Sequence, residues 1–206
     1  MAKRILIFLL MVTVCRVFAL NVDEIINKTL ERYENLKTFY AQFKQVYCDS
    51  VAGICKEYEG KIYFLTPNFF RMEFENPKQI YVGDSISLWI YLPEENRAIR
   101  QNFGQIPFAV NPDMFLRGYE ETFDAALTKE DKDKFEITLT PKKETEIYNK
   151  IIVTINKKKF EITGFTIIDG AGAENKFNFD KIEMNKNFSK KLFKFNPPKG
   201  TKIDEY

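Results

Sequence analysis

Few residues in this chain have the types and spacing that catalysis requires. The 206 residues include no histidine, which excludes Ser-His-Asp and Cys-His catalysis, histidine metal ligands and a histidine pH switch. Acidic pairs such as Glu94-Glu95 and Glu120-Glu121 are adjacent, so neither pair flanks a substrate by itself. The chain has no nucleophile elbow, P-loop or dinucleotide-binding glycine loop. The sequence therefore predicts a binding protein rather than an enzyme, with no cofactor and no metal.

Residues 1–19 have the three parts of a cleaved signal peptide. Two basic residues precede the apolar run 5–14, and Ala19 completes a small-x-small cleavage site. The apolar run is too short for a bilayer span, which needs about 20 residues. A lipid-bearing Cys15 is a competing interpretation, but the neighbouring valine and arginine fit it poorly. Cleavage after Ala19 predicts an exported chain with a single domain over residues 20–206.

The charge of the chain changes when this segment is removed. Cleavage takes away three of the 31 basic residues and none of the 29 acidic ones, so the formal charge changes from +2 to −1. No long basic block remains to hold phosphates. The sequence therefore predicts no nucleic-acid partner.

Two cysteines remain after cleavage, Cys48 and Cys55, with six residues between them. A disulfide is the default in an exported chain because the compartment is oxidising. The intervening residues 49–54 are typical of a hairpin tip. A redox CxxC pair has only two intervening residues, so the spacing predicts a structural bond that staples this hairpin.

One amphipathic helix precedes a series of strands. Apolar residues recur at helical spacing from Val22 to Leu36, and Asn21 with Glu24 forms a plausible capping box. Alternating patterns then predict strands at 39–44, 57–64, 69–74, 87–92, 98–103, 135–139, 150–155, 160–168 and 176–184. Residues 105–128 interrupt them, with Asn111-Pro112 starting a short apolar helical segment that Gly118 ends. Short gaps favour an antiparallel sheet.

The aromatic residues exceed what one packed face of a sheet can bury. The chain has 20 phenylalanines and 10 tyrosines, and several strands carry them at both alternating positions. Either both faces are covered, or one face lines an apolar cavity. A filled core, in which every aromatic ring packs against another, is the alternative.

The order of several motifs resembles a known family. The initial helix leads into Phe39-Tyr40-Ala41-Gln42-Phe43, then Gly60-Lys61-Ile62-Tyr63-Phe64 and Pro67-Asn68-Phe69-Phe70-Arg71-Met72. Leu88-Trp89-Ile90-Tyr91 follows, and the chain closes on Phe193-Lys194-Phe195-Asn196-Pro197-Pro198. This order resembles the LolA family of periplasmic outer-membrane lipoprotein carriers along essentially the whole mature chain.

The resemblance implies a fold and a function. The fold is mainly β, an open, strongly curved antiparallel half-barrel closed by a helical lid over an apolar cavity. The function is a monomeric, non-enzymatic chaperone of the periplasm, which shelters lipoprotein acyl chains on their way to the outer membrane. Its partners are lipoproteins, an ABC-type extractor in the inner membrane and an outer-membrane receptor. An exported scavenger or sensor of free lipid or other hydrophobic ligands remains the alternative.

The resemblance also implies positions for the site. The face formed by Phe70, Met72 and Phe74 matches cavity-facing positions, and Phe108 with the segment 114–116 matches the lid. Thr66 stands where the best-known members have an arginine that holds the lid closed. The full set predicted to contact lipid is Tyr63, Phe70, Met72, Phe74, Tyr81, Trp89, Tyr91, Phe108, Met114, Phe115, Leu116, Phe165, Phe177 and Phe179.

Overall fold

A computed structural model of the protein describes residues 20–102, 111–143 and 148–206. The predicted signal peptide (1–19) and Phe108 lie outside these ranges. The helices of the described chain are α1 Val22–Tyr33 and α2 Tyr119–Thr122, with 3-10 turns at Pro93–Glu95 and Lys190–Phe193. The strands are β1 Thr38–Asp49, β2 Ile54–Leu65, β3 Phe69–Phe74, β4 Gln79–Asp84, β5 Ser87–Leu92, β6 Arg97–Asn102, β7 Phe123–Glu130, β8 Lys134–Pro141, β9 Lys150–Asn156, β10 Glu161–Ile168, β11 Glu174–Met184 and β12 Lys202–Glu205.

All twelve strands belong to one sheet. Its order is β12-β6-β5-β4-β3-β2-β1-β11-β10-β9-β8-β7, and the end strands β12 and β7 are not neighbours. Neighbours are antiparallel except β12, which lies parallel to β6. β1 joins the two halves of the chain, because it pairs with β2 on one side and with β11 on the other. The predicted open, curved and mainly antiparallel sheet is therefore confirmed, with one parallel strand at its edge.

Bulges and two glycines allow this sheet to bend. The register shifts in β1 between Tyr40 and Gln42, and in β10 between Ile162 and Gly164. Bulges of this kind increase local twist and curvature. At Gly164 a Cβ atom would overlap the Phe177 carbonyl oxygen, and at Gly60 it would overlap that of Glu73. Neighbouring strands therefore approach too closely at these two points for any side chain.

Helix α1 covers one part of the concave face. Its N-cap is the predicted capping box, in which Asn21 accepts from the Glu24 N–H and Glu24 accepts from the Asn21 N–H. Ile25, Ile26 and Tyr33 are buried against the sheet. The helix ends at Tyr33, three residues before the last apolar position of the predicted pattern.

The convex face is covered by the C-terminal segment 186–199. Phe188 packs on Tyr63, Phe193 on Phe69, and Phe195 on both Trp89 and Tyr91. The guanidinium of Arg71 also donates to the Leu192 carbonyl oxygen. Aromatic residues on both faces of the strands are thus accounted for, because each face has its own cover.

Three strands and one helical segment differ from the sequence prediction. β4, β7 and β12 were not predicted, and β7 begins inside the segment 105–128 that was expected to interrupt the sheet. Residues 112–118 form successive turns rather than a helix, with Met114 N–H bonded to Asn111 O and Leu116 N–H to Asp113 O. Gly118 has φ +63° and precedes α2 instead of ending a helix. Phe115 and Leu116 are buried without a continuous helical hydrogen-bond ladder.

The predicted disulfide is confirmed. Cys48 and Cys55 occupy directly opposed positions of β1 and β2, next to the tip of the hairpin, and are joined by a disulfide bond. Asp49 Oδ1 accepts from the N–H groups of Val51 and Ala52, which closes the tip. At the tip, Ser50 Oγ donates to the Ala171 carbonyl oxygen in the β10–β11 turn.

Candidate functional site

A cavity of about 430 Å³ lies on the concave side of the sheet. Most of its lining is apolar, and β1, β2, β3, β4, β10 and β11 all contribute side chains. Pro112 and Tyr148 close it from outside the sheet. The lining residues are Phe39, Gln45, Tyr47, Tyr58, Ile62, Met72, Phe74, Gln79, Tyr81, Pro112, Tyr148, Phe165, Ile167, Asp169, Ala173, Asn175, Phe177 and Phe179.

Strand register brings these side chains together. Ile62 lies opposite Met72, which lies opposite Tyr81, so three adjacent strands contribute one row. On the other half of the sheet Phe165 lies opposite Phe177 with ring centroids 4.9 Å apart. Alternate residues of a strand share a face, so Phe74 joins Met72 and Phe179 joins Phe177. The cavity is therefore a property of the curved sheet and of no single strand.

Six predicted lipid-contacting residues line the cavity. They are Met72, Phe74, Tyr81, Phe165, Phe177 and Phe179. Three others, Phe70, Phe115 and Leu116, are buried in the core beside it, and Phe115 packs edge-on against Phe165. Met114 is 39% exposed at the surface. Tyr63, Trp89 and Tyr91 lie under the C-terminal segment on the convex face, away from the cavity.

Several lining residues were not predicted. Phe39, Tyr58 and Ile62 occupy alternating positions of β1 and β2, and Ile62 lies directly opposite the predicted residue Met72, a pairing that only the register of the folded sheet shows. Tyr148 and Pro112 come from connections, where no periodic pattern exists. The polar lining residues were also missed, because Gln79 and Asn175 lie near strand ends, Asp169 lies in a turn, and Gln45 is a polar residue in a pattern that was read for its apolar positions.

Burial changes the acidity of one lining residue. The Tyr81 hydroxyl donates to Gln79 Oε1 at 3.1 Å. Burial raises the pKa of Tyr81 above its usual value, and the nearby Tyr58 adds to the shift. Burial therefore favours the neutral form of this phenol.

Polar contacts fix α1 and the segment 111–122 over the sheet. The Tyr119 hydroxyl donates to Asp23 Oδ1 at 2.5 Å, and burial with this acidic neighbour raises the pKa of Tyr119. Arg117 donates to the Tyr33 carbonyl oxygen at 3.4 Å. Arg32 forms a 2.9 Å ion pair with Glu161 of β10. These contacts link α1, the segment 111–122 and β10, and none of them involves Thr66.

Thr66 has a different role from the arginine of the resemblance. Its hydroxyl donates to the Leu36 carbonyl oxygen at 2.6 Å, and its N–H donates to Lys37 O at 2.9 Å. Both partners lie in the connection between α1 and β1. Thr66 thus holds this connection to the end of β2.

Two features are absent from the described part of the chain. Residues 20–102, 111–143 and 148–206 contain no group of three or more His, Cys, Asp or Glu residues placed to hold a metal ion. In the same ranges no helix is both long and apolar enough to cross a membrane.

Comparison with known proteins identifies the family. The family model described as "Outer membrane lipoprotein carrier protein LolA" matches residues 34–196. The chain belongs to the LolA family. Carriers of this family are non-enzymatic, which confirms the prediction that the chain is not an enzyme.

Individual relatives are distant in sequence but cover most of the chain. The outer-membrane lipoprotein carrier protein of Coxiella burnetii is 25% identical over 180 residues, which are 82% of this chain and 81% of that protein. The carrier of Aliivibrio salmonicida is 28% identical and covers 85% and 87%. The crystal structure of an uncharacterized conserved protein from Thermus thermophilus has a TM-score of 0.58 at 14% identity and covers 89% and 98%. This last likeness supports the fold alone.

Proposed function

We propose that this protein is a periplasmic chaperone that shelters lipoprotein acyl chains and carries them from the inner to the outer membrane. The observation that carries the proposal is the apolar cavity on the concave side of the sheet. Membership of the LolA family and relatives named outer-membrane lipoprotein carrier proteins support it.

The energetics of acyl transfer require such a lining. Each methylene that leaves a bilayer for water costs about 0.8 kcal/mol, so a carrier must replace most of the lost apolar contact. Met72 and Phe74 are only half-buried on the cavity wall and can offer that contact. The methionine thioether adapts its shape to different chains. Contacts of this kind, without a specific polar lock on the chain itself, also permit release.

The proposed lipid-contacting set follows the cavity wall. It consists of Phe39, Ile62, Met72, Phe74, Tyr81, Phe165, Phe177 and Phe179. Phe70, Phe115 and Leu116 are buried in the core next to this wall. Tyr63, Trp89 and Tyr91 are not included because they pack on the convex face. The proposal includes an ABC-type extractor in the inner membrane as donor and an outer-membrane receptor as acceptor.

Substitution of Met72 by aspartate tests the proposal. A carboxylate on the cavity wall would meet acyl chains without a partner, which costs several kcal/mol. Met72→Asp should therefore lower lipoprotein release from inner-membrane vesicles about tenfold or more. Because the side chain borders open space, circular dichroism should still show a cooperative thermal transition.

Asn178→Asp is the matched control. Asn178 is exposed on the opposite face of β11, between the lining residues Phe177 and Phe179, and gains the same charge. It should release lipoprotein like the wild type. Release by Met72→Asp at the wild-type rate would contradict the proposed role of the cavity.

Native mass spectrometry separates the carrier from the alternative function. Protein purified from the periplasm should carry a bound lipoprotein. Bound free lipid, with no lipoprotein, would instead indicate a scavenger or a sensor.

A further inference from the structure

One end of the cavity differs chemically from the rest. Near the β10–β11 turn its lining includes the polar side chains of Gln45, Asp169 and Asn175, beside Tyr47, Ile167 and Ala173. Phe39 lies at the apolar end, six residues along β1 from Gln45, or about 20 Å for an extended strand. An amphiphile in this cavity therefore has one preferred orientation, with its polar part at the β10–β11 turn.

Asp169 supplies a negative charge at this polar end. Its Oδ1 atom accepts from the N–H groups of Ala171 and Ala173, both at 2.9 Å, which holds the carboxylate in place. No ion pair within the described ranges includes Asp169. The described cavity lining also contains no lysine or arginine. A fixed carboxylate without a cation at an apolar cavity attracts positive charge and repels anions.

Gln45 independently indicates that a ligand could supply a hydrogen-bond donor at this end of the cavity. Its Nε2 atom donates to Asn175 Oδ1 at 2.8 Å, while its Oε1 atom is buried and has no hydrogen-bond partner. A buried acceptor in this state is costly unless a ligand supplies an N–H or O–H group. Asn175 lies opposite Tyr47 in β1 and Ile167 in β10, so this acceptor belongs to the same end as Asp169.

We propose that this end is a head-group subsite for an amphiphile with a protonated amine directly beside its acyl chains. The inference rests on the proposed function and narrows its ligand class. A lipid-modified N-terminal cysteine with a free α-amino group has this chemistry. Amphiphiles with an anionic head group, such as fatty acids and acidic phospholipids, do not fit the subsite.

Two synthetic lipopeptides test the subsite. Each carries a diacylated cysteine on the same uncharged, C-terminally amidated peptide, and one has a free α-amino group while the other is N-acetylated. Isothermal titration at pH 6.5 keeps the α-amine of the first peptide protonated. The wild type should bind the free amine about tenfold more tightly than the acetylated peptide, as expected for a charge-assisted contact.

Asp169→Asn removes the charge and retains the turn, because the asparagine Oδ1 can accept the same two N–H groups. This variant should bind both peptides within about twofold of each other. Asp49→Asn is the matched control, since Asp49 closes the β1–β2 turn in the same way but does not line the cavity. It should keep the tenfold preference.

The outcomes separate the two proposals. Equal binding of both peptides by the wild type, or a full preference in Asp169→Asn, would overturn the subsite and leave the carrier function standing. Binding of neither peptide by the wild type would overturn both. The wild-type comparison needs no variant, so it holds even if Asp169→Asn does not fold.

Discussion

At the scale of single residues, Asp113 has the least favourable surroundings. Its side chain is fully buried, and neither carboxylate oxygen makes an aligned hydrogen bond. Arg117 Nη2 approaches Oδ2 to 2.5 Å and partly offsets the charge. Burial is the stronger influence and raises the pKa of Asp113, while the Arg117 guanidinium opposes the shift. The folded chain therefore binds this proton more tightly than the unfolded chain does.

This difference in pKa predicts a pH dependence of stability. A raised folded-state pKa means that Asp113 is best tolerated below the unfolded value of about 4, and that stability falls as pH rises through the folded pKa. Asp113→Asn removes this penalty. The free energy of unfolding of the variant, relative to wild type, should therefore be larger at pH 7 than at pH 4 in urea titrations.

Asp131→Asn provides a control in which the change in stability should depend on pH in the opposite direction. The N–H groups of Asp133 and Lys134 lower the pKa of Asp131, so its contribution is present above the unfolded pKa and is lost as pH falls. Relative to wild type, this variant should be less stable at pH 7 than at pH 4. A pH-independent difference for Asp113→Asn would mean that Arg117 cancels the cost of burial.

At the scale of elements, the segment 111–118 combines dense apolar packing with poor hydrogen bonding. Leu116 is fully buried, yet Asn111 Oδ1 and both Asp113 oxygens lack hydrogen-bond partners, although Arg117 forms an ion pair with Asp113 Oδ2. Local opening lets these oxygens reach water and so recovers part of the cost of folding. This segment is therefore the best candidate for a lid that moves.

Hydrogen exchange should detect this opening. In the ligand-free protein, amides of 111–118 should exchange well before those of β1 and β11, and a bound lipopeptide should slow them. Exchange as slow as in these central strands would contradict a moving lid.

We expect the disulfide-bonded hairpin to stabilise the fold and to take no direct part in transport. The bond closes a loop with a sequence separation of 7, and neither cysteine lines the cavity. Replacing both cysteines by serine should lower the free energy of unfolding by about 2–3 kcal/mol in the chain-entropy model. Lipoprotein release should stay at the wild-type rate below the melting temperature. A loss of release by the folded variant would assign the hairpin a direct role.

At the scale of the whole molecule, sequence patterns predict which residues form strands better than they predict what each face of a strand contacts. The alternation of Phe70, Met72 and Phe74 identified a shared face, but not that Phe70 packs in the core while Met72 borders open space. That distinction depends on where the sheet bends and on what covers each position. Trp89 and Tyr91 were assigned to the cavity because nothing local indicates that Phe195 would return to cover them. β7 was missed because Ala125 and Ala126 have weak strand propensity.

Trp89 is the only tryptophan of the chain, and it lies beneath Phe195 on the face opposite the cavity. Tryptophan emission, excited at wavelengths that tyrosine does not absorb, therefore reports on the attachment of the C-terminal segment. A spectroscopist can follow the detachment of this segment without any added label, and cargo that enters the cavity should leave the tryptophan emission unchanged.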